Sequence, residues 1–177
     1  MAGDLPAGGI LVLRPATPGD ELFLGEMLRE AASWARPEGD EPYPLKDLLV
    51  IPQVADYVAG WGRAGDAGVI GEVDGQPSGA CWFRRFTAEH PGYGFLGEDV
   101  PGLSFAVRPE RRRQGIGTSL LAAAIAMARQ QACPALSLSV EELNEAALRL
   151  YVRAGFVIAG REGEALTMRL DLADVPS

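Results

Sequence analysis

Residues 103–121 read LSFAVRPERRRQGIGTSLL, and this stretch restricts the fold more sharply than any other. An apolar run at 103–107 has the composition of a strand, an arginine-rich turn follows at 108–113, and Gly115-Ile116-Gly117 opens a helix. The first amides of such a helix have no intrahelical acceptor, and the helix dipole adds positive potential, so the junction suits an anion. Gly115 and Gly117 carry no Cβ and let a ligand come close to the main chain. Arg108, Arg111, Arg112 and Arg113 surround the same point in a chain of formal net charge −8, whose only lysine is Lys46. So local a reversal of sign implies a phosphate-rich ligand or, failing that, a solvated turn.

The remaining sequence supplies a sheet and helices around this turn. A strand is expected at 9–15, then a cap at Thr17 or Asp20 and a helix to about residue 33, with Leu24, Met27, Leu28, Ala31 and Ala32 at helical spacing. Prolines and acids make 34–43 a loop, and Val54, Tyr57, Val58 and Trp61 predict a second helix over 53–61. Asp74-Gly75 joins strands at 69–73 and 78–86 in a hairpin, and a glycine- and acid-rich connection covers 87–101. After the central helix at 115–131 come a strand at 135–140, a helix at 144–154 closed by Gly155, a hairpin from 156–159 and 165–170, and a tail at 171–177. In the 135–140 strand, Leu136, Leu138 and Val140 share one face and Ser137 and Ser139 the other.

Composition bounds the function. With 47% apolar and 23% charged residues the chain is globular, and we expect residues 1–177 to form a single domain. Its acidity argues against nucleic acid as a partner. The N-terminus lacks a signal peptide's basic start, and no run approaches about 18 apolar residues, so a cytoplasmic protein off the membrane is expected. Cys81 and Cys133 have no metal-ligand spacing; they read as buried reduced thiols, with a disulfide as the alternative. A dinucleotide-binding turn would need a third glycine where Leu120 stands, and a P-loop would need lysine where Thr118 stands.

Two signatures in order carry a resemblance. Arg112-x-x-Gly115-x-Gly117 follows a strand and a Val-Arg-Pro step, and Asn144, Ala147, Leu150, Tyr151 and Gly155-Phe156 follow after one more strand. Together they resemble the GCN5-related N-acetyltransferases, the GNAT superfamily. The resemblance implies an α/β fold (α+β by some schemes). Its centre is a mixed, mostly antiparallel, twisted sheet of six to seven strands, splayed between the fourth and fifth and flanked by four helices.

It also implies acetyl-CoA as acetyl donor, no metal, and direct transfer to a primary amine of a small molecule or protein. The amides of Arg113, Gln114, Gly115, Ile116, Gly117 and Thr118 then hold the pyrophosphate, and Arg108, Arg111 or Arg112 meets the 3′-phosphate. Phe105, Ala106 and Val107 carry the pantetheine arm, with a main-chain amide near Val107 polarising the acyl carbonyl. Asn144 bonds the cofactor, or serves only as a helix cap. Seven residues on and nearly on the same helix face, Tyr151 protonates the leaving sulfur, or is a core aromatic.

Many relatives place glutamate where this chain has Gly102 or Ser139. Glu98 is therefore ranked first as general base, with Asp99, Glu141, Glu142 and His90 as other groups on the same approaches. Trp34, Tyr43, Tyr57 and Trp61 either wall the acceptor pocket or pack in the core. The family also implies a homodimer through the last strands. The reading from another class is a non-catalytic acyl-CoA-binding sensor on the same fold.

Overall fold

The computed structural model describes residues 2–6, 8–37 and 39–173, so the last four residues of the expected tail lie outside it. One sheet runs through the molecule in the order β1-β2-β3-β4-β5-β6-β8-β7. Its strands are β1 (Ala2–Asp4), β2 (Ile10–Pro15), β3 (Ala67–Val73), β4 (Gln76–Arg84), β5 (Gly102–Val107), β6 (Ala135–Glu141), β7 (Val157–Glu162) and β8 (Ala165–Asp171). All neighbours are antiparallel except β5 and β6. The helices are α1 (Glu21–Ala32), α2 (Leu45–Leu49), α3 (Pro52–Ala55), α4 (Ile116–Gln130) and α5 (Glu145–Arg153).

The architecture is the expected one, with eight strands among the described residues where six to seven were predicted and five α-helices where four were. The extra strand, Ala2-Gly3-Asp4, has no β-forming side chain and exists only through its pairing with β2, so composition gives no sign of it. The helix predicted over 53–61 is replaced by α2, α3 and a run of turns. Proline at 52 has no amide to continue a helix from α2, and instead starts α3.

Beyond α3, side chains from β4 claim the carbonyls that a longer helix would use. The Arg84 guanidinium donates to the carbonyls of Asp56 (2.8 Å) and Ala59 (3.0 Å), and the Trp82 indole donates to that of Tyr57 (3.0 Å). Arg84 is fully buried, and its Nη2 also reaches Asp66 at 2.6 Å, beneath the Trp61 ring at 5.6 Å. Helical spacing thus identified the buried residues Tyr57, Val58 and Trp61 correctly while misnaming the local conformation.

Each face of the sheet buries its own apolar cluster. On one, Leu120, Leu121, Ala124, Ile125 and Ala128 of α4 meet Leu136, Leu138 and Val140 of β6 and Tyr151 of α5. On the other, Leu24, Met27 and Leu28 of α1 meet Tyr57, Trp61, Trp82 and Phe86. Burying each large side chain is worth about 1.5–3 kcal/mol, which is what holds both helical layers in place. Tyr57 and Trp61 are therefore core residues, whereas Tyr43 is 44% exposed and Trp34 half-buried. Asp74 and Gly75 (φ 50° and 78°) form the left-handed two-residue turn of the β3–β4 hairpin, and the Asp74 carboxylate accepts from the Ile10 amide at 2.9 Å, fixing β2 beside it.

Candidate active site

The site begins where the sheet comes apart. β5 and β6 share a single register pair, Gly102 with Ser137, and separate beyond it. Which groups of β5 face the opening follows from its other neighbour. The Arg108 amide donates to the Ser78 carbonyl at 2.8 Å, and β4 and β5 pair Gly79 with Val107 and Ala80 with Ala106. Because an antiparallel ladder alternates bonded and non-bonded pairs, the polar groups of Ala106 turn to β4 and those of Phe105 and Val107 turn into the gap. Of the three residues expected to carry the arm, two offer main-chain groups there and Ala106 does not.

At the far end of β5 the turn presents a row of donors. Among the described residues, none of the amides of Arg113, Gln114, Gly115, Ile116, Gly117 and Thr118 donates to a protein acceptor. Arg113 and Gly115 have φ of 59° and 83°, and such left-handed residues curl successive amides into an anion-binding concavity. The Gln114 Oε1 is buried without a partner, a further polar atom in want of one. Gly115 is open above, with nothing within 4 Å of where a Cβ would stand. Gly117 is not: a Cβ there would lie 2.7 Å from the Phe105 ring, so this glycine serves close packing of α4 on β5.

The four arginines separate into two kinds. Arg108 donates through Nε to the Pro77 carbonyl (3.0 Å) and through Nη2 to Glu26 (2.9 Å). Arg112 repeats the pattern, with Nε on the Val107 carbonyl (3.1 Å) and Nη2 3.5 Å from Glu30. The side chains of Arg111 and Arg113 have no hydrogen-bonded or ionic partner among the described residues. Of the three arginines expected to meet a 3′-phosphate, only Arg111 is left without such a partner, since Arg108 and Arg112 are engaged with α1; Arg113, expected only to offer its amide, has an equally unengaged side chain. Sequence reasoning missed Glu26 and Glu30: two acids one helical turn apart were visible on α1, but nothing local says that this helix packs beside the arginine turn 82 positions on.

Tyr151 packs in the core cluster against the side chain of Phe105 on β5. Its ring meets Phe105 edge-on at 6.5 Å and Phe156 at 5.8 Å, and its hydroxyl has no hydrogen-bond partner among the described residues. Burial pushes the hydroxyl's pKa well above its ordinary value of 10, so it stays protonated. Asn144 caps α5, its side chain accepting from the Ala147 amide at 3.3 Å, which leaves its side-chain NH2 available.

The candidate bases are less well placed. Glu98 is exposed and accepts from the Ala88 amide at 3.0 Å, so its carboxylate helps to fold the connecting segment 87–101. Arg161 donates twice to Glu142 (2.8 and 3.1 Å) and holds that carboxyl below the usual range, which disfavours it as a proton acceptor. At position 102 a Cβ would lie 2.8 Å from the Phe86 ring, so a glutamate there would force that buried ring to shift. The connecting segment is pinned by Gln53 on the Pro91 carbonyl and by the Tyr57 hydroxyl on the Tyr93 carbonyl, both 3.2 Å. It borders a cleft of about 430 Å³ whose walls include Phe95, Leu96, Gly160, Arg161, Glu162 and Thr167.

Comparisons with known proteins bear on the family and the fold. The sequence model of the acetyltransferase (GNAT) family matches residues 25–156. The chain is 33% identical over 162 residues to the mycothiol acetyltransferase of Acidimicrobium ferrooxidans; the match covers 90% of this chain and 47% of the relative, so the chain spans about half the length of that protein. The GNAT domain of S. lividans PAT superposes with a TM-score of 0.70 at 19% identity, over 97% of this chain and 96% of that one. PaiA N-acetyltransferase from Thermoplasma acidophilum, in complex with coenzyme A, superposes at 0.65 with 15% identity, over 91% and 98%.

Proposed function

Because the chain belongs to the acetyltransferase (GNAT) family, we propose that it transfers the acetyl group of acetyl-CoA directly to a primary amine. The observation that carries this reading is the row of unpartnered amides at 113–118 beside the opening of β5 from β6. These donors suit a pyrophosphate, Arg111 and Arg113 supply charge for the 3′-phosphate, and the free groups of Phe105 and Val107 match an amide-bearing arm. The acetyl thioester supplies an electrophilic carbonyl and a thiol leaving group.

The chain's own residues do the rest. The Val107 amide donates to the acyl oxygen, where negative charge develops. Tyr151, kept neutral by its surroundings, holds the proton that the sulfur receives. A thiolate in the same buried space is also disfavoured as an ion, so the proton passes from the tyrosine oxygen to sulfur as the C–S bond breaks, and the proton that the attacking nitrogen sheds on becoming an amide returns to the tyrosine oxygen. The amine must arrive neutral, and Glu98 or a water bonded to it takes the proton. Acidic groups around the approach, Glu98, Asp99 and Glu162, favour a small-molecule or protein acceptor that is cationic before it is deprotonated.

No helix among the described residues is long and apolar enough to cross a membrane. Cys81 and Cys133 are buried free thiols, consistent with the reducing cytoplasm. The homodimer that the family resemblance implies would find a surface in edge strand β7, where Val157 and Ile158 are 61% and 63% exposed. Thiol release from acetyl-CoA, followed across a panel of diamines, amino sugars and peptides with free N-termini, tests the function. Amine-dependent release is expected. Micromolar acetyl-CoA binding with no release on any amine would make the chain an acyl-CoA sensor.

A further inference from the structure

Arg108 and Arg112 make the same unusual pair of contacts. Each uses Nε for a strand-end carbonyl and Nη2 for a glutamate of α1, and the two glutamates, Glu26 and Glu30, lie one helical turn apart. Arg108 also stands over the Phe23 ring of α1 at 5.4 Å. The arginine side chains are 35% and 46% exposed, and ion pairs that open to water contribute little to stability. What these contacts do fix is geometry.

The peptide linking Val107 and Arg108 is held from both sides, with its amide on Ser78 (2.8 Å) and its carbonyl on Arg112 (3.1 Å). That carbonyl is one of the groups turned toward the gap. Once it accepts from a guanidinium, Val107 faces the gap with its donor alone, and a ligand's carbonyl oxygen meets no competing acceptor. Glu30, only 11% exposed at its side chain, in turn anchors the guanidinium.

We propose that Arg112 and Glu30 are positioning residues for the acyl-bearing arm, acting through the last peptide of β5, and that the Arg112 side chain is not a phosphate ligand. This rests on the acetyl-CoA reading above. It reassigns an arginine of the glycine-turn signature from holding charge to shaping the strand beside it.

The test compares CoA with 3′-phospho-ADP, which keeps every phosphate of CoA and lacks the pantetheine arm. Arg112→Met should bind 3′-phospho-ADP within about twofold of the unaltered protein and CoA about tenfold more weakly, the scale of one charge-assisted hydrogen bond. Glu30→Gln, a milder change that keeps the helix, should shift the same ratio about threefold, and the double variant should be no worse than Arg112→Met alone. Arg113→Glu, by contrast, should weaken both ligands together. An equal loss for both ligands in Arg112→Met would make Arg112 a phosphate contact and overturn the proposal, as would unchanged CoA affinity. Failure of the unaltered protein to bind either ligand would instead remove the acetyl-CoA reading itself.

Discussion

Two polar clusters in this molecule are built on opposite terms. Around Arg84 every donor found has an acceptor: Asp66 takes two bonds and the carbonyls of Asp56 and Ala59 take two more, all sealed from water under Trp61. Around residues 113–118 the donors outnumber the acceptors, and six amides point at none. Unpaired donors are tolerated only where water or a ligand reaches them. The first cluster replaces helical hydrogen bonds and so sets the path of the chain between α3 and β3. The second leaves its hydrogen-bonding capacity for something outside the protein.

The largest effect should fall on the sealed cluster. Arg84→Met strips the buried Asp66 of its close guanidinium partner, leaving it the Gly62 and Arg63 amides and the Arg63 side chain at 4.0 Å, and orphans the Asp56 and Ala59 carbonyls; it should destabilise the fold by about 3–5 kcal/mol, read from urea unfolding. A loss below about 1 kcal/mol would mean that the cluster is not what organises residues 56–66. At the open site the contrast should reverse. Tyr151→Phe keeps the ring packing against Phe105 and Phe156, so the unfolding midpoint should hardly move while kcat falls about 100-fold and the KM for acetyl-CoA stays put. Unchanged kcat would assign Tyr151 to the core alone.

The smallest effect belongs to a third arrangement, half open to water. Arg14 donates to both oxygens of Asp20 (2.9 and 2.8 Å) and holds that carboxyl down to about 2, from an ordinary 3.8. The folded state thus binds this proton less readily than the unfolded chain. Its contribution is present above about pH 4 and disappears as the pH falls toward 2. The stability difference between the unaltered protein and Asp20→Asn, followed by urea titration, should therefore be under about 1 kcal/mol at pH 7 and vanish near pH 2. A difference independent of pH would point to lost packing or capping instead.

Much of this arrangement was legible in the sequence, and the failures share a cause. The strand, turn and helix at 103–121 declare themselves through apolar composition, arginines and glycines that depend on no distant partner. Asp74-Gly75 and the spacing of Leu120, Leu121, Ala124, Ile125 and Ala128 are equally local signals. The conformation of residues 53–61 was misread because Arg84 and Trp82, more than 20 positions away, decide where those carbonyls go. In the same way, four clustered arginines looked like one anion site. Only the packing of α1 reveals that Glu26 and Glu30 claim two of them. The absence of glutamate at 102, a puzzle in the sequence, has a steric reason in the Phe86 ring. Asn144, expected on the same helix face as Tyr151, stands just outside the helix as its cap, and what Tyr151 rests against is fixed by β5 and Phe156.

Backbone amide NMR with added acetyl-CoA tests the central claim most directly, because it reports on the donors themselves. The account predicts that the largest shifts fall on the amides of residues 113–118, with Phe105 and Val107 next, while those around Arg84 stay still. Saturating ligand that leaves 113–118 unmoved, or moves only the cleft beside Phe95 and Leu96, would contradict it.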